Sequence, residues 1–115
     1  MSIIKHFHSA VILSLMSFSV LAVPFYYDYT IEGKVVGVVS NQSATTPCYV
    51  AVKDINNSSR SGYYHAMSDL NKCQTARMAY ALGLDTKLWA KIAPGTNSND
   101  VIAIELHSGE VKWWN

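Results

Sequence analysis

The chain has 115 residues, half of them hydrophobic and 15% charged, with a formal net charge of +1. That length is enough for one domain and not two. The near-neutral balance and scattered lysines exclude a nucleic-acid binder, which needs a basic face to neutralise phosphates, and equally a polybasic membrane-surface role.

The first 22 residues follow the order of a secretory signal peptide. Lys5 supplies the positive start, an apolar stretch runs from Ala10 to Leu21, and Val20 and Ala22 are small enough for the −3 and −1 cleavage positions. The apolar stretch is about a dozen residues, short of the ~20 that span a bilayer. The segment is therefore expected to be cleaved, with no membrane span afterwards and the product secreted or periplasmic. Cleavage after Ala22 would leave 93 of the 115 residues, formally neutral, as a single domain over 23–115. His6 and His8 would leave with the signal.

The mature part opens on a long strand candidate, Phe25 to Ser40. Tyr27, Tyr29 and Ile31 alternate with Asp28, Thr30 and Glu32, and a β-branched run continues from Val35 to Val39. Gly33 interrupts the alternation and predicts a bulge or sharp coil, which lets one strand curl around a small barrel. After the polar loop Asn41–Pro47, Cys48 to Lys53 alternates again, with Cys48, Val50 and Val52 on one face. An Asn- and Ser-rich turn over Asp54–Gly62 leads to a third short strand at Tyr63–Met67. Ser68 or Asp69 then caps a helix that Gly83 stops. Lys87–Ile92 and Val101–Leu106 alternate as two more strands, and Val111–Trp114 reads as a short terminal one.

Cys48 and Cys73 are the chain's two cysteines. In an exported protein two thiols are expected to pair. The bond would tie the start of the helix to the second strand. Their spacing is far from the C-x-x-C of metal or redox sites.

The order strand, strand, strand, helix, strand, strand in under a hundred residues predicts a mainly β fold: a small five-stranded OB-like barrel with one helix and one disulfide. Two stretches carry a family resemblance. Glu32-Gly33-Lys34-Val35 looks like the first-strand segment of Shiga-type B subunits. Gln74 to Ile92, a helix running through Gly83 into Leu84-Asp85-Thr86-Lys87-Leu88-Trp89, resembles their helix–glycine–strand unit. The chain thus resembles the ring-forming B subunits of bacterial AB toxins, over about a third of its mature length. The resemblance implies homopentamers paired by strand edges, a helix-lined pore and binding of cell-surface glycans. Those subunits usually anchor their disulfide at the N-terminal end, whereas Cys48 sits on the second strand.

Aromatic residues are the candidate ligand contacts, because their rings stack on sugar faces and anchor protein interfaces. Trp89 falls on the face opposite Leu88, Ala90 and Ile92, between lysines, which makes it a candidate for exposure beside the alternative that it covers the core edge. Trp114 and Tyr63 are the other two candidates. The mature histidines, His65 and His107, would form an acid–base pair if they faced each other across a cleft. They offer no metal set, since no carboxylates stand at matching spacing.

The expected function is accordingly a secreted or periplasmic non-enzymatic domain that binds a glycan or protein partner and self-associates. A small secreted hydrolase or nuclease using His65 and His107 stays open, as does an envelope stress or inhibitor protein. No cofactor, metal or nucleic acid is expected.

Overall fold

The long alternating segment at the start of the mature chain becomes one 12-residue strand in the computed structural model, which describes residues 23–113. The expected signal segment and Trp114 lie outside the described residues. This strand, β1 (Tyr29–Ser40), is shared between two neighbours. Its first half pairs antiparallel with β4 (Asp85–Lys91), and its second half pairs antiparallel with β2 (Cys48–Asp54). β3 (Tyr64–Met67) extends β2, β5 (Asp100–His107) extends β4, and a short parallel pairing of Ala66 and Met67 with Asp100 and Val101 closes the ring. The result is a closed five-stranded barrel in the order β1-β2-β3-β5-β4. The OB-like expectation is met, with strand ends within a few residues of those read from the alternation.

Gly33 acts differently from the expectation. The register shift in β1 falls between Val35 and Gly37, so Val36 is the bulged residue. Gly33 instead marks the crossover between the two pairings, facing Asp54 on one side and Thr86 on the other. The Lys53 carbonyl lies where a side chain at Gly33 would stand, and the Ile55 amide donates to the Glu32 carbonyl at 2.8 Å. The glycine is required by a close backbone approach.

The helix α1 (Leu70–Leu82) follows its local signals. Asp69 is the N-cap, its carboxylate accepting from the Lys72 amide at 2.8 Å, and Gly83 ends the helix in the left-handed region at φ 66°. The Lys72 ammonium also reaches Asp69, and that hydrogen bond holds the carboxyl below its usual range. The buried face is made of Cys73, Ala76 and Ala79, small residues at helical spacing that let α1 sit close to the strands. Cys73 bonds Cys48 at the start of β2, with Cα atoms 5.9 Å apart. Ile31, Val35, Val50, Val52, Met67, Leu88 and Val101 fill the barrel around this staple.

Tyr27–Glu110 forms one unit and contains all of these elements. In the other unit, Phe25 and Trp113 meet edge to face, with ring centroids 5.9 Å apart. The expected terminal strand is not formed over 111–113. Among the described residues, no helix is long and apolar enough to cross a membrane.

Candidate functional site

Three segments far apart in sequence meet at one end of the barrel. The start of β1 brings Tyr29, the loop between β2 and β3 brings Ser59, Arg60 and Tyr63, and the loop between β4 and β5 brings residues 96–99. With Tyr64 and His65 of β3 they enclose an open cleft of about 360 Å³. That volume is within the range of small-molecule sites, about 300–1,000 Å³. The β4–β5 loop is also one of the two loops that OB barrels commonly use for ligands.

The base of the cleft is a hydrogen-bonded chain whose polarity follows from its ends. The Tyr63 carbonyl can only accept, so His65 Nδ1, 2.9 Å away, carries the proton and donates to it. In the neutral ring Nε2 is then an acceptor, and the Tyr29 hydroxyl donates to it at 2.7 Å. The Asn99 side-chain amide donates in turn to the Tyr29 oxygen at 2.9 Å. Asn99 is fixed at its other end, where Oδ1 accepts from the Ala93 amide at 3.0 Å.

His65 is 2% exposed. Burial lowers its pKa, and the nearby Arg60 charge adds to the effect against the opposing Tyr63 carbonyl. The unfolded imidazole takes up a proton at about pH 6.5, whereas the folded one resists it. Stability is therefore expected to fall as pH drops through about 6.5, and to level off below the lowered folded value. Melting temperatures of wild type and His65→Gln between pH 7.5 and 5 check this. The variant should give the flatter slope, and parallel slopes would contradict the assignment.

The loop carrying Arg60 is held by Asp54, 3% exposed at the end of β2. Its carboxylate accepts from the Asn56 amide at 3.1 Å, and its own amide donates to Ser61 Oγ at 2.9 Å. Burial alone would raise this carboxyl, but the Ser58 and Asn56 hydrogen bonds outweigh it and hold the group below the usual carboxylate range. The Gly62 amide returns to the Val52 carbonyl at 2.8 Å, completing the turn. Arg60 is thereby placed over Tyr29, its guanidinium carbon 3.9 Å from the ring centroid.

The aromatic candidates divide. Tyr63 is 67% exposed at the lip of the cleft, as a ligand-stacking ring requires. Trp89 corrects the expectation of exposure, because only 2% of its surface is open. Strand alternation identifies its face but not whether that face meets water. Leu88, Trp89 and Ala90 are buried in succession, and the β4–β5 register shifts beside them, with Ile102 the extra residue on β5. The Lys87 ammonium stands 4.9 Å from the Trp89 ring centroid.

The histidine pair is not formed either. Ala66, next to His65, pairs with Asp100 at the start of β5, while His107 is the last residue of that eight-residue strand. At about 3.3 Å per residue they stand roughly 20 Å apart along the barrel. His107 faces Glu32 instead, Nε2 to Oε1 at 3.2 Å. The reading from sequence named Tyr63 and His65 but missed Tyr29, Arg60 and Asn99 as one constellation. A lone arginine inside an Asn- and Ser-rich loop was the available signal. Among the described residues no group of three or more His, Cys, Asp or Glu stands close enough to hold a metal ion.

No protein-family model matches the chain. Protein p10 of Acyrthosiphon pisum secondary endosymbiont phage 1 is 33% identical to it over 115 residues, covering 90% of this chain and 96% of p10. The chain belongs to the p10 family.

Proposed function

We propose that this p10-family member is an exported, non-enzymatic binding domain, similar in role to the B subunits of bacterial AB toxins, with a glycan as its ligand. The observation that carries the reading is the lining of the cleft. Exposed Tyr63 lines it together with side-chain amides and hydroxyls that include Asn97, Ser59 and Ser98. Flat rings that cover the apolar face of a sugar, beside neutral donors and acceptors for its hydroxyls, are the chemistry of carbohydrate recognition.

The floor supports binding over turnover. Both nitrogens of His65 are engaged by Tyr29 and Tyr63, so no proton-accepting position points into the cleft. Its hydrogen-bonded base is pre-organised, which lowers the entropy lost when a flexible sugar docks. Self-association into a toxin-like ring is part of the same proposal, and Met78 and Leu82, exposed one turn apart on α1, offer apolar surface for it.

A glycan array probed with the oxidised, folded protein tests the reading, together with sedimentation at micromolar concentration. Wild type should bind a defined set of glycans, and Tyr63→Ala should weaken that binding by about tenfold, the size of a lost aromatic contact. Absence of glycan binding, or binding indifferent to Tyr63→Ala and Asn97→Ala, would remove the cleft as the site. A monomer in sedimentation would remove the ring.

A further inference from the structure

Arg60 is the one charged side chain lining the cleft among the described residues, and no carboxylate lines it. Its guanidinium rests on Tyr29, whose hydroxyl is tied to His65 and Asn99, so the ring is a fixed platform. The guanidinium carbon lies over that ring, and among the described residues no hydrogen bond uses the Arg60 side-chain N–H donors. No ion pair joins Arg60 to an acid among the described residues, whereas Lys34, Lys72 and His107 each have one, with Asp85, Asp69 and Glu32. A planar fork of donors, immobilised by stacking and lacking a protein counter-ion, matches the geometry of a carboxylate, which accepts two parallel N–H bonds.

We propose that the cleft recognises its glycan through a carboxylate: the ligand carries an acidic sugar residue, with Arg60 forked onto the carboxylate and Tyr63 against the ring. The inference rests on the glycan reading of the same cleft and adds the chemical class of the ligand. Charge supports it from the surrounding loops. Of residues 96–99 the Thr96 hydroxyl and the Asn99 amide already donate within the protein, while Asn97 and Ser98 add polar side chains to the lining and no residue there adds an opposing charge. The Asp54 carboxylate that shapes the loop is buried and spent on the Asn56 and Ser58 amides. A neutral sugar would leave Arg60 without a charged partner in a partly dry site. An acidic one completes it.

The test uses the full oxidised protein and matched glycans: one ending in a carboxylated sugar, the same glycan with that carboxyl reduced to the alcohol, its neutral parent, and a sulfated glycan without a carboxylate. Wild type should bind the carboxylated glycan at least about tenfold more tightly than its reduced form, the scale of a charge-assisted hydrogen bond. Arg60→Gln should erase that difference. Arg60→Lys should keep only part of it, because an ammonium retains the charge without the fork. Circular dichroism and melting temperature confirm that both variants are folded, and the ratio between the two glycans reports on Arg60 independently of total binding. Equal binding of carboxylated and reduced glycans overturns the proposal, as does equal binding of the sulfated glycan. If neutral glycans bind in a Tyr63-dependent way while carboxyl reduction has no effect, the carboxylate falls and the glycan site stands. If no glycan binds at all, both fall together.

Discussion

Removing the Cys48–Cys73 bond is expected to lower the thermal midpoint by roughly 15–25 °C, whether by reduction or by Cys48→Ala with Cys73→Ala. The bond joins residues 25 apart. Closing a loop of that length removes about 3.5 kcal/mol of conformational freedom from the unfolded chain. In a domain of under a hundred residues, each kcal/mol shifts the midpoint by about 4–8 °C. The total stability of so small a core is on the order of 5–10 kcal/mol, so the staple is a large fraction of it. Its position adds to the effect. Both sulfurs are fully buried, and they join the face of α1 that plugs the barrel to the first residue of β2. Differential scanning calorimetry of oxidised and reduced protein checks the value. A shift under about 3 °C would mean the reduced unfolded chain is already compact.

Gly33→Ala is expected to destabilise the barrel by about 3 kcal/mol or more, or to prevent folding. The reason is space, since Gly33 is not among the positive-φ residues. A methyl group there would collide with the Lys53 carbonyl, a main-chain atom of the neighbouring strand. Relief requires β1 and β2 to separate where β1 is also paired with β4 through Thr86, so neither ladder can yield alone. Gly37→Ala is the matched comparison. Its added methyl would meet the Tyr64 hydroxyl, the far end of a side chain that is free to swing aside. A cost of about 1 kcal/mol is expected at position 37. Urea denaturation of the two variants distinguishes them, and equal losses would contradict the backbone-clash account.

The two experiments probe different states of the chain. Disulfide removal acts mainly on the unfolded ensemble and the glycine substitution on the native barrel. Neither the two cysteines nor Gly33 lines the cleft.

The barrel was largely legible from the chain itself because its signals are local. Alternation marked the strands, Asp69 and Gly83 bracketed α1, and two cysteines behind an expected export signal implied one bond. These features depend on residues within a turn or a strand length of one another. Trp89 shows where local reading stops. Alternation sets it opposite Leu88, but whether that face meets water is decided by what packs over it, and Trp89 is only 2% exposed. The same holds for Val36, which took the bulge expected at Gly33, since a bulge is a relation between two strands.

The sequence by itself determined the element order, the helix caps, the pairing of the cysteines and the chain's near-neutral charge. The tertiary structure alone decided what faces what. Barrel closure set His65 of β3 beside the start of β5 and left His107 at that strand's far end, and it brought Tyr29, Arg60 and Asn99 together across 70 residues. The physical reason is the range of the interactions. Periodicity and capping are written in neighbouring residues, whereas a cleft is built by strand registers and loop turns whose partners lie far along the chain.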